Sequence, residues 1–216
     1  MLRIERACWE SGAHRLAGVD EAGRGPLAGP VVAAVAVFDR AFAEAEEHGM
    51  LEGLTDSKRL SESQRDNFCA LLRQSPHVEV AVGLAETDEI DTWNILRATH
   101  LAMRRALARL TTRPDRILVD GRPVPDLPAP SDAIVGGDGK SLSIAAASVV
   151  AKVTRDSLML KLDRLHPQYG FARHKGYGTR MHIRALLEHG PCPAHRHSFR
   201  PVREALDLRQ RCELPD

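Results

Sequence analysis

The sequence has few cysteines and no long apolar segment, and these two absences exclude several classes of protein. Its four cysteines are scattered without a Cys-x-x-Cys pair: Cys8, Cys69, Cys192 and Cys212. Neither a zinc site nor a disulfide framework is indicated, and we expect reduced thiols. No apolar run approaches the roughly 18 residues of a membrane span, and the charged N-terminus lacks the apolar core of a signal peptide. We therefore predict a cytoplasmic protein with no membrane segment.

A strong net charge is also absent, because the formal net charge is +1. Positive charge is instead concentrated in one part of the chain. From Arg164 to Arg203 there are eight lysines or arginines and one acid, Glu188. Such clustering is typical of a surface that binds a polyanion, although a solvated basic face explains it equally well. Within this basic stretch, His195–His197 has no acid at ligand spacing, which favours phosphate contact or a polar loop over a metal site.

The most distinctive segment of the chain is LAGVDEAGRGPLAGPVVAAVAVF, from Leu16 to Phe38. An apolar run ends in the adjacent acids Asp20 and Glu21, and a second apolar run follows Pro30. This pattern predicts two strands joined by a short Gly-Pro-rich connection, and hence an antiparallel hairpin.

Two adjacent acids beside an apolar layer repel each other and lose hydration, so a cation is needed to compensate them. Mg2+ and Mn2+ favour clustered carboxylate oxygens, which makes Asp20 and Glu21 candidate metal ligands. Adjacent strand residues face opposite sides, so both acids reach one site only if the strand bends near Gly23. Gly23 and Gly25 allow a backbone to approach a large ligand closely, and Arg24 between them is placed to meet a phosphate.

Two further acids come at the ends of later predicted strands. Asp120 follows the apolar run ILV, and Asp138 follows AIV within Gly-Gly-Asp-Gly. Each is also a common turn residue when it is considered alone. Ligand sites gather at strand ends in open α/β sheets, so the recurrence of acids there predicts one acidic site. Tyr177, flanked by glycines and bases, is a candidate for stacking on a sugar or base, with an ordinary surface tyrosine as the alternative.

Capping and periodicity signals place the other elements. Ser61 and Gln64 form a capping-box pattern that predicts a helix from Ser61 to about Leu72. Apolar residues at helical spacing predict a long amphipathic helix from Asp88 to about Leu110. Further strands are predicted at His77–Leu84, Asp115–Gly121 and Ala133–Val135, and further helices at Leu142–Leu165 and near Arg180–His189.

These elements predict an α/β fold with a mixed β-sheet that is flanked by helices. A chain of 216 residues suits a single domain, 1–216, with a core over about 16–203. Residues 1–15 are expected to form a polar lead-in, and residues 40–51 a loop or short helix. The chain after His166 is expected to form loops around one helix, followed by a short tail.

The segment VDEAGRGPLAGP closely resembles the signature of the type 2 ribonucleases H, the family of bacterial ribonuclease HII. Other segments resemble blocks of that family in the same order: DSK at 56–58, NIL at 94–96, VDG at 119–121, GDGKS at 137–141, SIAAASVVAKVTRD at 143–156, YGFARHKGYGT at 169–179 and PAHRHSFRPV at 193–202. Gly139 is a small departure, since many relatives have alanine there. The resemblance implies a ribonuclease H-like fold with a small helical C-terminal portion.

The resemblance places the family's metal-binding, catalytic carboxylates on Asp20, Glu21, Asp120 and Asp138. It places substrate-binding residues on Gly23, Arg24, Gly25, Lys58 and Tyr177. It implies phosphodiester hydrolysis with two divalent ions, Mn2+ or Mg2+, leaving 3′-OH and 5′-phosphate ends. The implied substrates are the RNA strand of RNA–DNA hybrids and duplex DNA with single embedded ribonucleotides, cut on the 5′ side. We expect a monomer.

Three other functions are weighed against this interpretation. A metal-dependent DNA nuclease or resolvase on the same type of fold would use the same acids, and only ribose dependence separates it. A non-catalytic hybrid-binding protein is disfavoured, because a binder gains nothing from acids that face phosphates. A nucleotide-dependent oxidoreductase or NTPase is disfavoured because the glycines of Gly23–Ala28 precede a β-rich run instead of a helix, and GxxxxGK[ST] is missing.

Overall fold

The computed structural model describes the backbone of residues 1–213 and the side chains of residues 1–208. Its strands are β1 (Leu16–Ala22), β2 (Val31–Phe38), β3 (Val78–Ala85), β4 (Arg116–Asp120) and β5 (Ser131–Ile134). Its helices are α1 (Arg3–Glu10), α2 (Arg40–Glu46), α3 (Glu62–Gln74), α4 (Thr87–Leu107), α5 (Leu142–Leu165), α6 (Phe171–His174), α7 (Arg180–His189) and α8 (Arg200–Glu213). Within the described residues, no helix is long and apolar enough to cross a membrane.

The five strands form one mixed sheet in the order β3-β2-β1-β4-β5. β1 pairs antiparallel with β2, which confirms the predicted hairpin. β1 also pairs parallel with β4, and β4 pairs parallel with β5. The register sets Val19 opposite Val119 and Asp120 opposite Ile134. Because parallel strands end at the same edge of a sheet, the carboxyl ends of β1, β4 and β5 lie together.

The chain divides into two compact units. The first unit contains Met1–Ala22, Val32–Leu84 and Thr99–Val153, and the second contains Gly23–Val31, Ala85–Ala98 and the chain from Thr154 onward. In the first unit every residue of β2 is buried, and so is the small-residue start of α5 over residues 142–151. Gly18 of β1 allows this packing, because an added Cβ would lie 2.2 Å from the backbone carbon of Ser143.

The second unit has two apolar clusters of its own. In one, Met159 of α5 packs with Tyr169 and Phe171. In the other, Leu27 packs with Leu186 of α7 and Val202 of α8. The second cluster explains why α8 forms, since it gives an amphipathic C-terminal segment a surface on which to bury its apolar side.

Several local predictions are confirmed. Ser61 and Gln64 form the capping box that begins α3. The long helix is present as α4, with a break at Asn94, where φ is 66° and ψ is 163°. Residues 40–46 form the short helix α2. Cys8, Cys69 and Cys192 are free thiols, whereas the side chain of Cys212 lies outside the described residues.

Three local predictions are wrong. The N-terminal residues are not a polar lead-in but the helix α1, which buries Glu5, Cys8 and Trp9. The chain after His166 contains α6 and α8 as well as the predicted α7. β5 ends at Ile134, so Asp138 lies in a 3-10 turn (Gly137–Gly139) and not at a strand end. For α1 and α8 the apolar partners are distant in sequence, which local composition does not report.

Candidate active site

Three carboxylates meet at the shared edge of the parallel strands. Asp20, Asp120 and Asp138 each offer an oxygen, and these oxygens lie within 4.8 Å of one another. The register of β1 and β4 explains how residues 20 and 120 become neighbours, because each follows one of the paired valines, Val19 and Val119. The turn after β5 then brings Asp138 to the same edge. This is the single acidic site that recurrence at strand ends predicts.

Backbone N–H groups hold two of the acids in place. Oδ1 of Asp20 accepts a hydrogen bond from Glu21 N at 2.7 Å, and Oδ1 of Asp120 accepts one from Gly137 N at 2.7 Å. Position 137 favours glycine, because an added Cβ would lie only 2.6 Å from Cδ1 of Ile144. The bond from Gly137 also joins the end of β4 to the turn that carries Asp138. The carboxylates are therefore oriented by the fold itself.

The electrostatics of this cluster favour a bound cation. Burial, followed by the charges of Glu21 and Asp120, raises the pKa of Asp20 well above its usual value. Burial, followed by the charges of Asp120 and Asp56, raises the pKa of Asp138. Carboxylates that have lost hydration and repel one another are the oxygen donors that divalent cations prefer. The donor set therefore fits hard divalent ions.

Lys58 lies beside the acids but neutralises them only in part. Its Nζ is 4.0 Å from Oδ2 of Asp138 and 4.0 Å from Oδ1 of Asp56, and its side chain is 81% exposed. Burial acts to lower the pKa of Lys58, but the surrounding carboxylates, Asp56 and Asp138 foremost, raise it overall. An exposed lysine at this distance contributes a weak and movable charge.

Glu21 is placed differently from the other predicted ligands. β1 stays in register through Ala22, with Asp20 opposite Ala34 and Glu21 opposite Ala33. Asp20 is buried and Glu21 half-buried, as expected of neighbours on opposite sides of a strand. The compact group of three carboxylates does not include Glu21, although its charge contributes to the raised pKa of Asp20. Its role as a metal ligand stays a prediction.

The predicted substrate-binding residues other than Lys58 lie in the second unit. Gly23 has φ +96°, a left-handed conformation that favours glycine, and Arg24 and Gly25 are exposed. Tyr177 is 48% exposed, which is unusual for a large ring. An added Cβ on Gly25 would lie 3.6 Å from Cε1 of Tyr177, so the glycine and the ring are in contact range. The Gly-Arg-Gly segment and Tyr177 therefore belong to one surface of this unit.

Two buried arginines beneath this surface, Arg155 and Arg196, were not predicted from the sequence to support it. For Arg196 the predicted location was also wrong. Arg196 was expected at a phosphate-contacting or polar loop, but it is 0% exposed and donates its hydrogen bonds to backbone carbonyls. Arg155 is also buried. Its position was detectable, because Arg155 follows Ala151 by four residues and precedes Met159 by four, and these positions share one buried face of α5.

Comparison with known proteins places the chain in a family. A family model described as Ribonuclease HII matches residues 17–202. Ribonuclease HII of Rhodospirillum rubrum is 54% identical over 205 residues, which cover 95% of this chain and 91% of that protein. Ribonuclease HII of Desulfitobacterium hafniense is 50% identical over 208 residues, which cover 96% of this chain and 77% of that protein.

A solved structure supports the predicted fold. The crystal structure of ribonuclease H2 from Pyrococcus horikoshii matches with a TM-score of 0.74 and 29% identity, covering 91% of this chain and 99% of that one. The ribonuclease H-like mixed sheet flanked by helices is thereby confirmed. The chain belongs to the ribonuclease HII family and is a metal-dependent endoribonuclease that acts on RNA–DNA hybrids.

Proposed function

We propose that this enzyme also cuts on the 5′ side of a single ribonucleotide embedded in duplex DNA, leaving 3′-OH and 5′-phosphate ends. The observation that carries the proposal is the acidic cluster, in which three carboxylate oxygens lie within 4.8 Å of one another. Family membership supports a substrate that contains ribose. The exposed Tyr177 beside Gly25 supports recognition of one sugar. Its ring can stack on a single nucleotide, and the glycine has no side chain to prevent that nucleotide from approaching the backbone.

We propose that two divalent ions, Mn2+ or Mg2+, are held by Asp20, Glu21, Asp120 and Asp138. When bound, such ions supply an activated water and stabilise the charge on the departing oxygen. The chain contributes the orientation of the donors, because Glu21 N and Gly137 N fix one oxygen each on Asp20 and Asp120. Fixed donors need little rearrangement during the reaction, which is the main advantage of such a site.

Substrate-binding residues are assigned in each unit separately. Lys58 in the first unit is exposed, so its ammonium group can move away from Asp138 and bind a phosphate of the substrate. Arg24, Gly23, Gly25 and Tyr177 in the second unit are assigned to the scissile nucleotide. The exposed members of the basic stretch are assigned to flanking phosphates: Arg164, Arg173, Arg180, Arg184, Arg200 and Arg203. Binding is expected to weaken steeply as salt concentration rises, because each neutralised phosphate releases counterions.

We also propose that the two units form one catalytic domain over residues 1–216 and that the enzyme is a monomer in the cytoplasm. The family match supports the single domain, since residues 17–202 take in segments of both units. Light scattering coupled to size-exclusion chromatography tests the monomer. One cooperative transition, seen alike by calorimetry and by fluorescence of the two tryptophans, tests the single domain.

The proposed function is tested on three matched duplexes: all DNA, DNA with one embedded ribonucleotide, and a continuous RNA–DNA hybrid. Each is incubated with Mn2+, with Mg2+ or with EDTA. We expect a metal-dependent cut at the ribonucleotide and degradation of the hybrid, with the DNA duplex intact. Equal cutting of the DNA duplex would support a DNA nuclease instead. Binding without any cutting would leave a hybrid-binding protein.

A further inference from the structure

Two arginines are buried beneath the loop that carries the Gly-Arg-Gly segment. Arg155 of α5 is 2% exposed and Arg196, just before α8, is 0% exposed. Both belong to the second unit, as does the loop Gly23–Pro30. A buried guanidinium is costly unless its charge and its five N–H groups are satisfied. The partners of these two groups therefore indicate what they are for.

Arg196 is bound to the loop along its length. Its Nε donates to Gly29 O at 2.9 Å, and Nη1 donates to Arg24 O at 3.0 Å and Pro26 O at 2.7 Å. Its Nη2 donates to Gly23 O at 2.6 Å. One rigid, planar group thus fixes four peptide carbonyls of a single loop.

Arg155 joins the same loop to the segment that carries Tyr177. Its Nε donates to Pro30 O at 3.1 Å and its Nη2 to Ala28 O at 3.0 Å. Its Nη1 donates to Lys175 O at 2.9 Å, two residues before Tyr177. The packing is tight, because an added Cβ on Gly23 would lie 1.9 Å from Arg155 Nε.

Carbonyl oxygens, and not acids, satisfy both guanidiniums. Among the described residues, neither arginine has a carboxylate within ion-pair distance. Burial lowers the pKa of Arg196 to about 9 and that of Arg155 to about 10, so both are charged at neutral pH. The charges of Asp156 and Asp91 act on Arg155 and Arg196, respectively, from beyond ion-pair distance. Two buried positive charges without an ion-paired acid favour an anion on the other side of the loop.

The geometry of the peptide unit shows which groups of the loop would bind that anion. No cis peptide occurs among the described residues, and in a trans peptide the C=O and N–H point in opposite directions. Because the carbonyls of Gly23 and Arg24 point to Arg196, the N–H groups of Arg24 and Gly25 point away from it. Successive N–H groups on one side of a loop form an anion-binding concavity, and the guanidinium polarises these peptides further.

We propose that Arg196 and Arg155 are positioning residues for substrate recognition, which turn the N–H groups of Arg24 and Gly25 toward the ribose and phosphate of the scissile nucleotide. Arg196 orients the peptides, and Arg155 sets the spacing between this loop and Tyr177. The proposal rests on the proposed function of Gly23–Gly25 and Tyr177 and adds the groups that hold them. Neither arginine touches the substrate.

The test measures discrimination as well as activity. Arg196→Lys, Arg196→Met and Arg155→Lys are compared with the wild type in three assays: affinity in EDTA for the single-ribonucleotide duplex and for the all-DNA duplex, KM and kcat on the former, and thermal melting. Arg105→Lys is the control for the change of side chain alone, since Arg105, which is exposed and lies in the first unit, also donates to a backbone carbonyl, that of Leu84 at 2.9 Å. A purely structural role would lower both affinities alike and leave their ratio unchanged.

We expect Arg196→Met to reduce the ratio of the two affinities and to raise KM by about tenfold or more, with kcat changed less. Arg196→Lys is expected to recover part of this loss, because an ammonium keeps the charge but not the planar fork. A folded Arg196→Met with the wild-type ratio overturns the proposal. If Arg196→Met does not fold, a wild-type ratio in both lysine variants overturns it. A wild type without preference for the ribonucleotide duplex would instead contradict the proposed function.

Discussion

The acidic cluster and the buried arginine pair both place charge inside the protein, but they satisfy it in opposite ways. At the cluster, burial and then same-sign neighbours raise the pKa of Asp20, and Lys58, 4.0 Å from Asp138, is largely exposed. At the arginine pair, Arg155 and Arg196 donate seven hydrogen bonds to backbone carbonyls. Carboxylates that the fold leaves without a close cation indicate a metal site, whereas guanidiniums whose N–H groups are bound by loop carbonyls indicate a supporting role for the loop.

The largest effect is expected from Asp20→Asn. The change keeps the shape and the Oδ1 acceptor for Glu21 N but removes a central metal-binding charge, so the cleavage rate should fall by about a thousandfold or more. Without metal the variant should melt at the same or a higher temperature, because a charge of raised pKa has been removed. Cleavage kinetics and melting in EDTA check both expectations.

Asp132→Asn is the control for this variant. Asp132 is also an acid on the sheet, but it pairs with Arg116 at 2.7 Å and lies outside the acidic cluster. We expect near wild-type cleavage and a stability change below about 1 kcal/mol. Comparable losses in the two variants would show that the cluster has no special role.

A smaller effect, on stability, is expected from Gly23→Ala. The new Cβ would have to occupy a left-handed backbone and would lie 1.9 Å from Arg155 Nε, which forces the guanidinium to move. We expect a loss of about 3 kcal/mol in the free energy of unfolding, part from backbone and part from overpacking. Gly12→Ala, at φ +100° with nothing within 4 Å, should lose only about 1 kcal/mol. Urea denaturation measures both, and equal losses would disprove the tight contact.

The two tyrosines offer a comparison between recognition and stability. Tyr177→Phe removes an exposed hydroxyl, so we expect about a tenfold loss of kcat/KM on the single-ribonucleotide duplex and little change in melting. Tyr169→Phe removes a buried hydroxyl that donates to Gly190 O at 2.6 Å, so we expect about 1 kcal/mol of lost stability and unchanged substrate preference. The opposite pattern would remove Tyr177 from the recognition surface.

The smallest effect is a pH dependence of stability in the second unit. Burial lowers the pKa of His182 to about 4 and that of His195 to about 3, and their Nε2 atoms lie 3.0 Å apart with room for one proton. The unfolded chain binds protons near pH 6.5 and the folded protein does not, so stability should fall as pH drops from 7 toward 4. Each histidine should cost less than about 1 kcal/mol between pH 7 and 6.

NMR titration of the two rings and urea denaturation across this range check the prediction. Resonances that titrate near pH 6.5 in the folded protein would contradict it. The cluster of the first unit provides the contrast, because the raised pKa of Asp20 makes its protonation stabilise the folded protein as pH falls. Asp20→Asn removes this opposing contribution, so the net loss of stability toward acid pH should become larger.

Much of the fold could be predicted because its signals are local. The hairpin of β1 and β2 follows from two apolar runs and a short connection, and α3 begins at a capping box. α1 and α8 were missed because their apolar faces are short and acquire meaning only against distant partners, such as Leu27 and Leu186 for α8. The turn at Asp138 was available from the composition Gly-Gly-Asp-Gly, but its distance from the end of β5 was not.

By itself the sequence determined the family to which the chain belongs, and it predicted the acids, the Gly-Arg-Gly segment and Tyr177 as site residues. Tertiary structure alone decided which of these groups meet, because the parallel register of β1 with β4 places Asp20 beside Asp120 across a hundred residues of chain. Tertiary structure also decided that Arg196 is buried and binds backbone carbonyls, although it lies in a basic stretch that is typical of phosphate binding. Burial and hydrogen-bond partners depend on the whole fold, and the residue type of an arginine carries no record of either.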